Sequence, residues 1–180
     1  MSVIAFIPAR EDSKSIPLKN IKLFCGKPLI YWNLVALQES DIDEIIVATD
    51  SDKIKTIVNS FNLSKVRVYD RNKENAQDSS STESVMLEYI DSHNLDGDDT
   101  FILVQATSPF TQSNHFNEGL SFFKDYDSVL SCCLSKRFSW KNGEALNYDI
   151  YNRPRRQDFQ GTLIENGAFY ISSVSAIKQT

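Results

Sequence analysis

Residues 8–29 read Pro-Ala-Arg-Glu-Asp-Ser-Lys-Ser-Ile-Pro-Leu-Lys-Asn-Ile-Lys-Leu-Phe-Cys-Gly-Lys-Pro-Leu. Within this run Arg10, Lys14 and Lys19 alternate with Ser13, Ser15 and Asn20. Cations, hydroxyls and backbone N–H groups in one loop suit a polyphosphate. Single loop lysines and arginines are most often merely solvated, but here they cluster. Residues 1–27 hold five basic and two acidic side chains, against a net charge of −5 for all 180 residues. A local positive site on an acidic chain favours a bound anion. Neither G-x-x-x-x-G-K-[ST] nor G-x-G-x-x-G occurs in the run, so the ATPase phosphate loop and the dinucleotide fingerprint are both excluded.

An apolar strand, Val3–Ile7, must deliver this loop. Pro28 stands at a helix start followed by Leu29, Ile30, Trp32, Leu34, Val35 and Leu37. Further strands are expected at 44–49, 66–69, 101–104 and 128–134. Helices are expected from the Asp50-Ser51-Asp52 cap to about Phe61, from Thr82 through Ile90, and from the Ser113-Asn114 cap to about Phe123. Strands alternating with helices predict an α/β fold of Rossmann-like type, a mainly parallel sheet with helices on both faces. The segments 8–20, 71–82 and 105–109 all follow strand ends, where such sheets bind ligands. From Lys136 to about Gln160 the pattern changes to aromatics among basic and polar residues, with Asn142-Gly143 as a hairpin turn. This predicts a small β-rich extension. The expected division is a core at 1–135, the extension at 136–162 and a strand returning to the core at 163–180.

Composition is ordinary for a globular chain, at 41% hydrophobic and 24% charged. No apolar run reaches the length of a membrane span, and the N-terminus lacks the features of a secretory signal. A cytoplasmic protein without membrane attachment is expected. The acidic balance speaks against nucleic acid as a partner. Cys25, Cys132 and Cys133 form neither a disulfide framework nor a zinc pattern; the last two are expected as buried strand thiols.

Four ordered segments carry a resemblance. The first is Ile7-Pro8-Ala9-Arg10 … Ser13-Lys14-Ser15-Ile16-Pro17-Leu18-Lys19-Asn20 … Gly26-Lys27-Pro28-Leu29. The second is Arg71 … Ala76-Gln77-Asp78-Ser79-Ser80-Ser81-Thr82. The third is Leu103-Val104-Gln105-Ala106-Thr107-Ser108-Pro109-Phe110. The fourth is Arg155-Arg156-Gln157-Asp158 … Glu165-Asn166-Gly167-Ala168-Phe169-Tyr170-Ile171. Together they resemble the acylneuraminate cytidylyltransferase family, the CMP-sialic acid and other CMP-nonulosonic acid synthetases. The resemblance implies transfer of CMP from CTP to the anomeric hydroxyl of a nine-carbon 2-keto acid sugar, with release of pyrophosphate. The product would be a CMP-sugar for glycoconjugates such as lipopolysaccharide or capsule.

The same resemblance implies the site. Arg10 and Lys19 would act on the triphosphate as the catalytic cations, Lys19 near the phosphate under attack. Ser13 and Lys14 would hold the outer phosphates, Asn20 the phosphate–ribose end, and Arg71, Ser80 and Thr82 the base. For Asn20 a turn cap is the alternative, for Arg71 a solvated residue, and for Thr82 a helix cap. Gln105, Arg156 and Asn166 would contact the sugar, Arg156 through its carboxylate. Arg153 and Arg155 are expected to be solvated or at a subunit contact. The related Kdo enzymes carry Gly-Asp where this chain has Gln105-Ala106, which points to the sialic-acid-like branch; Ala106 replaces that branch's usual proline. The extension would serve a homodimer. Magnesium is implied, held in the family by two aspartates toward its C-terminus. No Asp or Glu follows Tyr170 here, so no metal ligand is named and the family's C-terminal portion is expected to be absent. The alternative is a truncated, non-catalytic CTP- or sugar-binding protein of the same fold.

Overall fold

Strand β1 (Val3–Pro8) is buried along its middle, as its unbroken apolar run requires. It lies at the centre of a six-stranded sheet with β4 (Glu44–Thr49), β5 (Val66–Asp70), β6 (Thr100–Val104), β7 (Ser128–Ser135) and β10 (Thr162–Ser173), in the order β5-β4-β1-β6-β10-β7. The computed structural model describes residues 1–11, 16–72 and 81–179. Strands β1, β4, β5 and β6 run parallel. Strand β10 enters antiparallel between β6 and β7. The expected returning strand is therefore present, but it begins at Thr162 and separates β7 from β6.

Side-chain alternation along the strands divides the core in two. Ala5, Ile7, Ile45, Val47, Ile102 and Val104 face helices α1 (Leu29–Gln38), α2 (Asp52–Ser60) and α4 (Ser113–Phe123). Ile4, Phe6, Ile46, Ala48 and Phe101 face α3 (Thr82–Ser92) and α5 (Val174–Ile177). Both faces of the parallel layer are thus covered, as the near-continuous apolar strands predict.

Two short hairpins complete the fold: β2 (Leu23–Phe24) with β3 (Lys27–Pro28), and β8 (Trp140–Lys141) with β9 (Glu144–Ala145). Asn142 and Gly143 turn the second with positive φ of 53° and 86°, as the Asn-Gly pair predicts. Around it Phe138 packs on Tyr148 and Phe159. Arg153 is exposed, as expected, and also lies over Phe138 at 4.6 Å and Tyr148 at 5.7 Å. Arg155 pairs with Asp158 at 2.7 Å.

Cys132 and Cys133 correct the expectation of buried thiols, since all three cysteines are free and exposed. Among the described residues β7 is an edge strand that pairs only with β10, and beyond Leu130 the pair continues as a two-stranded ribbon. An apolar run there has no second layer to bury it, and Leu130, Leu134, Leu163 and Ile164 are exposed too.

Candidate active site

The loops after β1, β4, β5 and β6 lie at one edge of the sheet because the four strands are parallel. Hydrogen bonds tie the segments after β1, β4 and β5 together. Ala9 N donates to Ala48 O at 2.9 Å, Glu11 N to Asp50 Oδ1 at 3.2 Å, and Arg71 N to Thr49 O at 3.3 Å. Leu18 takes a left-handed conformation, φ 51°, and leads into a 3₁₀ turn at Lys19–Ile21. Such a backbone is uncommon for a branched residue and costs on the order of 1 kcal/mol. The turn buries Asn20, whose Nδ2 donates to Arg10 O at 3.4 Å. Asn20 thereby closes the loop on itself and brings Lys19 beside Arg10.

Arg71, at the end of β5, is only 8% exposed. Burial pulls its guanidinium below the usual arginine value and the Arg10 charge adds to that, while Asp50 and Glu88 oppose both. Glu88 is itself held, accepting from Tyr69 Oη at 2.8 Å and from Asn72 N at 3.0 Å. Gln105 leaves β6 with its N–H on Ala168 O at 2.9 Å. The next carbonyl, Ala106 O, accepts from Nδ2 of the fully buried Asn33 at 3.3 Å.

These segments enclose a cavity of about 280 Å3 lined by Pro8, Arg10, Lys19, Asn20, Arg71, Ser81, Thr82, Gln105, Ala106 and Thr107. Arg10, Lys19, Asn20, Arg71, Thr82 and Gln105, expected from sequence to share a site, thus come together. Among the described residues three cations line the cavity and no carboxylate does; Asp50 and Glu88 support Arg71 from outside the lining. This is a setting for an anionic ligand. Ser13, Lys14 and Ser80 lie outside the described residues. Asn166 lines two neighbouring cavities, one of which shares Thr107 with the cationic one. Arg156 is exposed on the 136–162 extension and lines none of these three.

The helix cap falls on Ser81 rather than Thr82: Ser81 Oγ accepts from Ser84 N at 3.1 Å, and Thr82 is the first residue of α3. Likewise Gln112, not Ser113, caps α4. Ser81, Thr107, Asp50 and Glu88 are residues to which the sequence assigns no role in the site; Asp50 enters there only as part of a helix cap. Asp50 directly follows a strand end, a signal that the binding rule for parallel sheets supplies. Glu88 sits in mid-helix and carries no local signal. Among the described residues no three His, Cys, Asp or Glu side chains group to hold a metal ion. With no carboxylate in the cavity lining, the described residues do not by themselves fit the magnesium that the resemblance implies.

Comparison with known proteins bears on the family and the fold. A family model described as cytidylyltransferase matches residues 4–142. N-acylneuraminate cytidylyltransferase B of Danio rerio is 38% identical over 183 residues, covering 96% of this chain and 42% of that protein. The chain therefore spans less than half the length of that relative. The CMP-N,N'-diacetyllegionaminic acid synthase of Legionella pneumophila is 34% identical over 188 residues, covering 98% of this chain and 80% of that one. Among solved structures, a CMP:2-keto-3-deoxy-manno-octonic acid synthetase complexed with CTP superposes with a TM-score of 0.71 at 20% identity, over 99% of this chain and 77% of that one. At that identity the likeness speaks for the fold. From the matched model and the two sequence relatives, the chain belongs to the cytidylyltransferase family, on its acylneuraminate branch.

Proposed function

We propose that the protein transfers CMP from CTP to the anomeric hydroxyl of a nonulosonic, sialic-acid-like sugar. The sugar oxygen attacks the α-phosphorus, the bond to the bridging oxygen of the β-phosphate breaks, pyrophosphate leaves, and the hydroxyl proton passes to solvent. Such a transfer depends on positioning and charge neutralisation more than on acid–base groups. The observation that carries the reading is the convergence of Arg10 and Lys19, from the segment after β1, and Arg71, from the end of β5, on one cavity whose described lining holds no carboxylate. In this reading Arg10 and Lys19 neutralise the triphosphate together with Ser13 and Lys14, and Asn20 holds the phosphate–ribose end. Arg71, Ser80 and Thr82 take the base. Gln105 and Asn166 contact the sugar on the side of Thr107.

Arg156 would pair with the sugar carboxylate from the extension of a second copy in a homodimer. Its exposed place on that extension supports this, as do the exposed apolar side chains of the neighbouring ribbon. Magnesium belongs to the reading because the resemblance implies it; no protein ligand is named for it and no step is derived through it. Three free, exposed thiols suit a reducing compartment such as the cytoplasm. Among the described residues no helix is long and apolar enough to cross a membrane. The relatives' names are those of transferases and synthases, which favours catalysis over a non-catalytic CTP- or sugar-binding role.

The test is pyrophosphate release from CTP and magnesium with N-acetylneuraminic, legionaminic and pseudaminic acids. Release that requires both CTP and one of the sugars is expected. CTP binding without release for any of them would overturn the catalytic reading.

A further inference from the structure

Two cavities meet along residues 166–168. One, about 580 Å3, opens beside the 107–111 loop, and the other, about 540 Å3, lies against the first turns of α4. Asn166 and His115 line both. Here the β7–β10 ladder is irregular: Glu165 faces Cys132 and Tyr170 faces Leu130. Four residues of β10, 166–169, therefore stand opposite one residue of β7, Ser131. Gly167 takes the bend with a φ of +67°. Tyr170 Oη donates to Glu165 across the bulge.

Ser131 organises this bulge. Its Oγ donates to Asn166 Oδ1 at 2.7 Å and accepts from Phe169 N at 2.9 Å. Asn166 Oδ1 also accepts from Ala168 N at 3.0 Å. A backbone N–H can only donate, so the Asn166 atom facing it is the oxygen, which settles the orientation of the amide. The NH₂ group is the end that remains for a ligand. His115 obeys the same logic. Gln112 N donates to His115 Nδ1 at 3.1 Å, so the proton of the neutral ring sits on Nε2. Both side chains on the shared wall thus offer donors.

We infer that Ser131 is a positioning residue of the sugar subsite. It holds the Asn166 amide with its donors outward, so that this wall, with His115 Nε2–H, takes a neutral acceptor oxygen of the sugar. The inference rests on the function proposed above. It adds a residue that touches no substrate itself and a polarity for the contact.

The test combines steady-state kinetics with the side-chain amide spectrum of Asn166, assigned by its loss in Asn166→Asp. Ser131→Ala is expected to raise KM for N-acetylneuraminic acid about tenfold, the scale of one hydrogen bond, with KM for CTP unchanged. Ser131→Thr keeps the hydroxyl and is expected to return the value to within about twofold of wild type. Asn166→Asp, which replaces donors by acceptors, is expected to lose at least as much as Ser131→Ala. A Ser131→Ala variant with unaltered sugar KM, or with both KM values raised alike, overturns the inference. A nonulosonic acid with a hydroxyl in place of the N-acyl group identifies the oxygen. Its KM becomes insensitive to Ser131→Ala when the acyl carbonyl is the contact and stays sensitive when a hydroxyl oxygen is. Should the wild type turn over no sugar, the functional reading fails separately and the spectrum decides the positioning. An Asn166 amide pair that shifts or broadens in Ser131→Ala but not in Ser131→Thr supports it, and an unchanged pair overturns it.

Discussion

Arg71 is a guanidinium placed where water can scarcely reach it, and such a charge persists only with compensation nearby. Asp50 and Glu88 supply that compensation, and Tyr69 and Asn72 hold Glu88 in place. Arg71→Lys keeps the charge and gives up the planar fork. We expect CTP affinity to fall about tenfold, the scale of one charge-assisted hydrogen bond, with the thermal midpoint nearly retained. Titration calorimetry with CTP checks this; unchanged affinity would remove Arg71 from the nucleotide site. Tyr89 provides a prediction in pH. Burial against Phe6 pushes its hydroxyl up to about 12. Below about pH 10 the folded and unfolded chains both hold the proton. Between about 10 and 12 the unfolded chain releases it and the folded chain does not, so stability falls as pH rises. Tyr89→Phe is expected to remove up to about 2–3 kcal/mol of that fall. Urea unfolding of both proteins at pH 9 and pH 11.5 measures the difference.

At the scale of elements, α4 shows how closely the layers approach. Gly119 lies buried on its inner face, and a Cβ there would stand 2.9 Å from Ile171 Cδ1 and 3.0 Å from Phe169 Cε2. Alanine improves helix propensity by about 1 kcal/mol, but overpacking of this kind costs about 1–3 kcal/mol. The clash involves two core side chains of β10, so we expect Gly119→Ala to be destabilising by about 1–2 kcal/mol in net. A lower urea midpoint with an unchanged slope is the expected signature; a raised midpoint would mean that the helix can shift outward freely. Because the same packing sets β10 against α4, the variant should also disturb the 166–169 bulge, and with it the sugar KM more than the CTP KM.

For the molecule as a whole, the parallel layer and the β7–β10 ribbon differ in kind. The layer is covered by helices on both faces. The ribbon and the extension leave Leu134, Leu163, Ile164, Trp140, Leu146 and Tyr151 exposed. A surface of that kind marks an interaction site. We expect the protein to sediment as a dimer and Leu134→Glu combined with Trp140→Glu to sediment as a monomer. If Arg156 acts from a partner copy, the monomer should bind CTP with unchanged affinity and lose sugar turnover by at least about tenfold. A wild type that stays monomeric at high concentration would defeat both expectations.

Sequence by itself determined the elements and the chemistry of the cationic site. The apolar runs at 3–7, 44–49 and 101–104 read as buried strands of a parallel sheet, Asn142-Gly143 as a tight turn, and a basic loop at a strand end in an acidic chain as a place for a bound anion. These are local properties, written in neighbouring residues. Tertiary structure alone decided what depends on which strand lies beside which. The placement of β10 between β6 and β7 left Cys132 and Cys133 on an open ribbon, although their apolar neighbours read as a buried strand. It also set Ser131 opposite Asn166, 35 residues away in the chain. The support of Arg71 by Asp50 and Glu88 joins three segments that no local spacing connects. Burial and hydrogen-bond partnership are properties of packed layers, and a strand's own residues do not say who its neighbour will be.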